Sequence, residues 1–596
     1  MRKIFEYLTS ISGKNKILWK IKLIFYINIA NQIGNDDNMP KVLDTDISLY
    51  DFVRRCCAYH ANHPSINKIL AHKPTDFSFD FQKVQPDQTL AVLRNLNTTK
   101  AVGYDAIPAR FLRDGATILA PHVTTIFNSM VATSTFPSSL KYAEVSPIYK
   151  KDDPLVKKNY RPVSILTSLS KVFENLILNQ LHVFTNAILN PGMSAFRSGY
   201  GCQHVLLNFT EDWRMAIEQR KHTGALLVDL SKAFDCLPFS LTIAKLAAYG
   251  CSERTANLMA SYLTERKQCV KIASVRSQWR TPEKGVPQGS VLGPVIFNVF
   301  MNDLFYSIEK CTLYNYADDN TILAIGNNVE NVRDLLKCDA YNILSWCDVN
   351  CMEANPSKFQ LILANSKQNS DFSVRVQDSV IKAEPHVKLL GVHIDVNLNF
   401  SYHVSQVCNR ANRQLNALKR LANFLDVNTK LQLYKSFIMC HFSYCPLVWN
   451  MCGKTNNDKL ERIQYRALKF IFEESVIDYC TLLNKAGLKS LEVNREIRAI
   501  LEVFKCLHGS NPSYLCNMFS IKSVKYNLRR DCVLTLINSR TNIGLHSFKQ
   551  LGARLWNSLL NQVKNLRELS ELKTASRKII TEPGVNAKSL CHLLIK

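Results

Sequence analysis

The segment TLYNYADDNTILAI, residues 312–325, sets two aspartates, Asp318 and Asp319, between two apolar, strand-like runs. Apolar residues on both sides of an Ala-Asp-Asp-Asn break predict strand–turn–strand. Asp and Asn suit tight turns, so a hairpin by itself accounts for them. Adjacent like charges repel, however, and a carboxylate beside a core is costly unless something compensates it. A third acid, Asp229, ends the apolar run of GALLVDLSKAFDCL. If these strands are neighbours in one sheet, Asp229 and Asp318 face each other across their C-terminal ends. Three carboxylates with no obvious basic residue beside them suit a hard divalent cation held through oxygen, Mg2+ best of all. Two such ions about 3.5–4 Å apart can activate an attacking oxygen and stabilise a leaving one.

At 596 residues the chain is too long for one ordinary core. Lys plus Arg number 74 against 49 acids, a formal net charge of +25. That excess favours a polyanionic partner such as nucleic acid, although a basic surface also serves solubility. The 19 cysteines are scattered and form no CxxC pair. They read as reduced thiols of an intracellular protein, in the nucleus or the cytoplasm. The opening stretch NKILWKIKLIFYINIA is short and carries Lys16, Lys20 and Lys22. It suits a core or interfacial helix better than a span, which needs roughly 20 mostly apolar residues. No membrane partner is expected.

Residues 1–95 read as an N-terminal extension and linker, with NQIGNDDNMPKV as the linker and a short helix from NHPSINKIL. Compact alternation of helices and strands follows to residue 398. TLAVLRNLN is helical, KAVGYDAIPARFLRDG is a turn and helix, and SPIYKKDDP is a strand ending in a charged turn. ALLVDL and VKLLGVHI each read as one strand. Residues 399–500 are helical, and 501–596 mix helices with loops.

LVDLSKAFDCL, GVPQGSVLGPVIFNVFMNDL and YADD occur in this order. Together they resemble the palm motifs of reverse transcriptases of non-LTR retrotransposons, the jockey-like, long-interspersed-element kind. KAVGYDAIPARFL, PIYKKDD and NYRPVSILTSLSKVFENLI extend the match upstream. LSWCDVNCMEANPSKFQLIL and VKLLGVHIDVNLNF extend it downstream, and LGARLWNSLL more weakly. The resemblance implies an α+β right-hand polymerase. Fingers and an antiparallel-sheet palm would occupy 96–398, and a helical thumb 399–500. It implies an RNA template, a DNA primer, deoxynucleoside triphosphates and two Mg2+ ions, with Mn2+ as an alternative. Element RNA and chromosomal DNA are the expected cellular partners.

The same resemblance assigns roles. Asp229 and Asp318 would be metal ligands, Asp319 a less direct third acid, and the Leu230 carbonyl a further ligand. Phe234, five residues after Asp229, would collide with a 2′-hydroxyl, although it also suits core packing. Gln288 and Gly289 would lie near the nucleotide and template, in a stretch that also reads as a Gly/Pro turn. Lys150 and Arg161 would grip the triphosphate, as guanidinium forks do bidentately. Lys151 is an alternative to Lys150. Lys358 matches a lysine that neutralises or protonates the leaving pyrophosphate, and is equally a common surface lysine. Leu390 and Gly391 would lie in a strand supporting the primer terminus.

HVSQVCNRANRQLNALKRLANFL is amphipathic. Val404, Val407, Ala411, Leu415 and Leu418 share one face, opposite Arg413 and Arg420. In NNDKLERIQYRALKFIF, the residues Lys459, Arg462, Arg466 and Lys469 form a basic stripe opposite Leu460, Ile463 and Ala467, with Asn457 or Asp458 as a cap. These helices suit a clamp on the template–primer backbone, although a solvated face has the same pattern. Relatives often carry an endonuclease domain before the polymerase, and the first 95 residues are too few for one. Rival readings are an RNA-dependent RNA polymerase, a group II intron-type maturase, and a catalytically decayed nucleic-acid-binding remnant. Phe234 argues against ribonucleotides, and intact acids argue against decay.

Overall fold

A computed structural model describes residues 48–578 except 74–76, 365–371, 451, 475–476, 523–532 and 560. The expectations for NKILWKIKLIFYINIA and NQIGNDDNMPKV lie outside the described residues. The strands are β1 Tyr142–Tyr149, β2 Tyr160–Leu166, β3 His222–Ser231, β4 Lys267–Ile272, β5 Val275–Arg276, β6 Thr312–Tyr316 and β7 Asp319–Gly326. β8 Glu353–Ala354, β9 Gln360–Ala364, β10 Ser373–Val376, β11 Ser379–Lys382, β12 His386–Leu389 and β13 Val392–Asp395 follow, with helices between most of them. The architecture is α+β, as expected. No described helix is long and apolar enough to cross a membrane. Every described cysteine is a free thiol.

The chain forms two compact units that interleave along the sequence. One comprises the described residues up to Asn190, Leu230–Ser307 and Asn342–Ala354. The other comprises Pro191–Asp229, Ile308–Tyr341 and the described residues from Asn355 on.

In the first unit, β1 pairs antiparallel with β2 and parallel with β4, and β5 folds back on β4. On β1, Glu144 is buried yet accepts from Lys271 at 2.7 Å and Arg276 at 2.6 Å. Burial opposes its ionisation, but the two cations prevail and its pKa is lowered. The carboxylate thus ties the β4–β5 hairpin to the sheet.

In the second unit, β7 is flanked by β6 and β3, all antiparallel, and β9 pairs with the other edge of β3. Residues Thr223–Leu226 of β3 are all buried, because both faces are covered. One cover is the Val329–Val349 helix. A Cβ on Gly224 would come within 2.6 Å of Val332 Cγ1, so only glycine admits the helix this close. On the hairpin, the Tyr314 ring packs edge-on to Phe209, and its hydroxyl donates to Asp212 at 2.5 Å. The apolar stripe of the Ser401–Arg420 helix is buried as its periodicity predicts, and Arg413 and Arg420 are exposed.

Two sequence expectations fail. VKLLGVHI is not one strand but the β12–β13 hairpin, turning at Leu390 and Gly391 with φ 44° and 83°. Positive φ at both central residues is the pattern of a type I′ turn, whose twist matches its strands. The Lys454–Phe472 helix is capped by neither Asn457 nor Asp458. It starts after Gly453, a turn earlier than expected. Asn456 is instead buried, donating to Cys452 O at 2.7 Å and Ser401 Oγ at 2.9 Å.

A buried histidine in this unit gives a pH prediction. His403 is 4% exposed, and its Nδ1 accepts the His393 N–H at 3.3 Å, which requires a neutral ring. Burial lowers its pKa to about 4, with His393 and Arg410 adding to the effect. Below pH 6.5 the unfolded chain takes up a proton that the folded chain refuses. Stability contributed by the neutral ring is therefore full above pH 6.5 and lost as pH falls to 4. The loss is about 3 kcal/mol. His403→Gln should flatten this part of a denaturant-midpoint profile against pH.

Candidate active site

The hairpin predicted from YADD is present, and it sits beside β3. Tyr316 pairs with Asp319 across β6–β7, leaving Ala317 and Asp318 as the two turn residues. Asp229 of β3 is the register partner of Asp319. Directly opposite residues of antiparallel strands have Cα atoms about 4.5–5.5 Å apart and side chains on one face. Asp229 and Asp319 thus come together, with Asp318 next along the turn. Asp318 and Asp319 are exposed and Asp229 is half-exposed, so none of the three is sealed in the core.

The expectation of no basic residue beside the acids is wrong. Lys358 Nζ lies 3.3 Å from Asp229 Oδ2. Its backbone is set by the neighbouring turn, where Asn355 N–H donates to Asp229 O at 3.2 Å and Lys358 N–H to Asn355 O at 3.0 Å. Sequence spacing could not reveal this pair, because 129 residues separate the partners.

Two further residues escaped the sequence reading. Ala317 has φ 57°, a backbone region costly for a residue with a Cβ. Asn315 Nδ2 donates to Ala317 O at 2.8 Å and to Asn320 Oδ1 at 2.8 Å. Asn320 Nδ2 donates on to Asp318 O at 3.2 Å. Both asparagines are 1% exposed. They clamp the turn that carries the acids. Their symmetric placement around YADD, as N-Y-A-D-D-N, was the available signal.

Oxygen donors alone, from carboxylates of Asp229, Asp318 and Asp319, fit a hard divalent cation. Among the described residues, no three His, Cys, Asp or Glu side chains already form a metal-holding group. Leu230 is buried at the end of β3, paired with Ala354 of β8.

The remaining predicted residues divide between the units. In the first, Phe234 lies in the Ala233–Cys236 turn of helix and stacks on Phe297 at 4.3 Å between centroids. Its carbonyl accepts the Val286 N–H at 2.9 Å, which fastens the GVPQG loop. Gln288 Nε2 donates to Asp235 Oδ1 at 2.9 Å, and Gln288 O accepts the Ser164 N–H at 2.7 Å. Gly289 has φ 130°, and a Cβ there would meet Ser164 O at 2.4 Å. Only glycine permits that approach to β2. Burial raises the Asp235 pKa against the opposing bond from Gln288.

Lys150 and Arg161 are exposed on the β1–β2 hairpin. Arg161 pairs with Ile148, and Lys150 N–H bonds to Asn159 O, continuing the ladder. Two-residue alternation therefore puts Lys150 and Arg161 on one face and Lys151 on the other. Lys151 is paired with Asp152 at 4.0 Å.

In the second unit, Lys459, Arg462 and Arg466 are exposed and Lys469 is half-exposed, its ammonium 5.3 Å from the Tyr465 ring centroid. Arg466 donates to Asn412 at 2.8 Å, next to Arg413. Leu390 O accepts from the Tyr444 hydroxyl at 2.7 Å, and a Cβ on Gly391 would lie 3.1 Å from the Tyr444 ring. Tyr444 was missed because it lies 54 residues downstream of the turn it holds.

Residues 148–394 match the family described as reverse transcriptase (RNA-dependent DNA polymerase). The chain is 26% identical over 419 residues to the probable RNA-directed DNA polymerase from transposon BS of Drosophila melanogaster, covering 67% of this chain and 46% of that protein. It is 26% identical over 420 residues to the RNA-directed DNA polymerase from mobile element jockey of Drosophila funebris, covering 67% and 45%. It is 24% identical over 448 residues to the retrovirus-related Pol polyprotein from type-1 retrotransposable element R1 of Bradysia coprophila, covering 72% and 41%. The chain spans a little under half the length of these curated relatives. With the acidic hairpin and the ordered motifs, these matches identify residues 148–394 as a reverse transcriptase domain, similar to those of the transposon BS and jockey polymerases.

Proposed function

We propose that the chain is an RNA-directed DNA polymerase of a non-LTR retrotransposon, extending a DNA primer with deoxynucleoside triphosphates on an RNA template. The observation that carries this reading is the register of Asp229 with Asp319, with Asp318 in the adjoining turn. In this reading β3, β6, β7 and β9 are the palm, the β1–β2 hairpin belongs to the fingers, and the helices from Ser401 form the thumb. Element RNA and chromosomal DNA are its partners, inside the cell.

Asp229, Asp318 and Asp319 would hold Mg2+, with the Leu230 carbonyl as a further donor. The bound cations supply a more nucleophilic primer oxygen and charge neutralisation at the leaving pyrophosphate. The protein's own part is positioning and electrostatics. Asn315 and Asn320 hold the acids' turn in its strained conformation. Lys358, beside Asp229, offers an exposed ammonium to the departing pyrophosphate. Lys150 and Arg161 present two cations from one hairpin face to the triphosphate. Asp235 orients Gln288, leaving the amide oxygen free to accept.

Phe234 would discriminate against a 2′-hydroxyl through its rigid stack on Phe297. Phe234→Ala should therefore raise ribonucleotide incorporation relative to deoxyribonucleotide on the order of 10–100-fold in primer extension on RNA. Unchanged selectivity would remove the steric gate at Phe234, and a wild type that prefers ribonucleotides would remove the reverse transcriptase assignment. Reversing Lys459, Arg462, Arg466 and Lys469 to Glu should weaken RNA–DNA duplex binding on the order of 100-fold at physiological salt. The melting temperature should hold, since these side chains project from the packed face. Unchanged affinity would exclude the thumb clamp.

A further inference from the structure

The core fixes both strands of the β12–β13 hairpin but not its tip. Val387, Leu389, Val392 and Ile394 are buried. β12 packs against β9, and β9 pairs with β3, the strand that carries Asp229. At the tip, Leu390 and Gly391 both have positive φ, and a leucine there is strained. One side chain from elsewhere meets both residues. The Tyr444 hydroxyl donates to Leu390 O at 2.7 Å, and a Cβ on Gly391 would lie 3.1 Å from its ring.

Tyr444 is itself held. Arg498 Nη1 donates to Ser443 O at 2.7 Å, and Trp449 Nε1 to Tyr444 O at 3.1 Å. Trp449 is fully buried. The hydroxyl therefore reaches the tip from a fixed backbone. It also meets a second element. The Cys202 thiol interacts with the hydroxyls of both Tyr444 and Tyr316. Tyr316 is the register partner of Asp319 at the acidic turn. Tyr444 and Cys202 thus link the tip of one hairpin to the base of the turn in the other. Tyr444 is nevertheless 45% exposed. A half-exposed ring adds little to a core, so packing alone does not account for it.

We propose that Tyr444 is a positioning residue for DNA synthesis. By fixing the Leu390–Gly391 turn relative to the acidic hairpin, it sets where the primer 3′-hydroxyl stands with respect to the cation site. The inference rests on the polymerase reading, in which that turn supports the primer terminus. An attacking oxygen tolerates little misplacement, since a shift of about 1 Å can cost on the order of 100-fold in rate.

Tyr444→Phe removes the hydroxyl and keeps the ring. In single-turnover extension on RNA, its maximal rate should fall on the order of tenfold. The deoxynucleotide concentration at half-maximal rate, the duplex affinity and the melting temperature should hold. A merely structural role would move them together with the rate. Primer placement is read separately, without synthesis. Fe2+ in place of Mg2+, with ascorbate and hydrogen peroxide, releases hydroxyl radicals that cut the nearest nucleotides of an end-labelled primer. Wild-type cuts should cluster at the primer 3′ end, and Tyr444→Phe should shift or spread them. An unchanged cutting pattern in the variant would overturn the proposal, as would wild-type cuts away from the 3′ end. So would an unchanged rate in a protein that extends primers, or a rate loss matched by lost deoxynucleotide affinity, duplex affinity or melting temperature. A shifted pattern with no extension by the wild type would uphold the positioning role and overturn the polymerase reading instead.

Discussion

Asp229→Asn and Asp318→Asn should each lower DNA synthesis on an RNA template on the order of 10²–10³-fold while leaving the fold intact. Both substitutions keep side-chain shape and remove one negative charge. The Asp229 side chain is 44% exposed and its Lys358 partner 59%, so their ion pair contributes little to stability. Three acids on one turn and its neighbouring strand repel one another when no cation is bound. Removing one charge should leave the melting temperature unchanged or raise it slightly. Lost synthesis with undiminished stability marks residues kept for chemistry at some cost to the fold. Asp319→Asn should have the smaller effect on synthesis. Duplex affinity should stay within about twofold, since the phosphate contacts are assigned elsewhere. Single-turnover extension with melting curves on the same samples checks this.

The largest stability effect is expected at a buried ion pair of the first unit. Lys245 and Asp303 are both fully buried and meet at 2.6 Å. The Lys245 ammonium also donates to Phe300 O at 2.9 Å and lies 4.0 Å from the Phe300 ring centroid. Asp303 accepts from Trp346 Nε1 at 2.7 Å through its other oxygen. Lys245→Met preserves volume but strands a buried carboxylate, which costs about 3–5 kcal/mol. At about 2–4 °C per kcal/mol, the first unit should lose about 10 °C of melting temperature. Lys245→Met/Asp303→Leu should recover most of that loss, because no charge is then left buried. A double variant as unstable as the single one would show that packing, not the unpaired charge, sets the cost.

The parts of the fold legible in the sequence are those fixed by local pattern. β6 and β7 were readable because apolar runs flank a turn composition. The Ser401–Arg420 helix was readable because its buried residues recur at helical spacing. What stayed hidden depends on partners distant in the chain. VKLLGVHI carries no break that an apolar pattern reveals. Leu390 occupies a positive φ where the Tyr444 hydroxyl holds its carbonyl. The start of the Lys454–Phe472 helix was misjudged because Ser401 and Cys452 draw Asn456 into the core. At the site, spacing and family resemblance pointed to the acids. Only the register of β3 with β7 shows Asp229 beside Asp319, and only the return of the chain at Asn355 brings Lys358 there.

The acids also account for the local strain. A turn with Ala317 at positive φ persists because two buried asparagines bond its carbonyls. The same bonds fix where the Asp318 backbone stands relative to β3. Charge repulsion and backbone strain thus concentrate on one short turn, and a bound divalent cation offsets the first.

The most direct measurement is Mn2+ binding followed by electron paramagnetic resonance on the free protein, with Mn2+ standing in for Mg2+. The wild type should bind the ion, and Asp229→Asn/Asp318→Asn should lose that binding while its melting temperature stays level. Equal Mn2+ binding by both proteins would contradict a shared cation site between β3 and the β6–β7 turn.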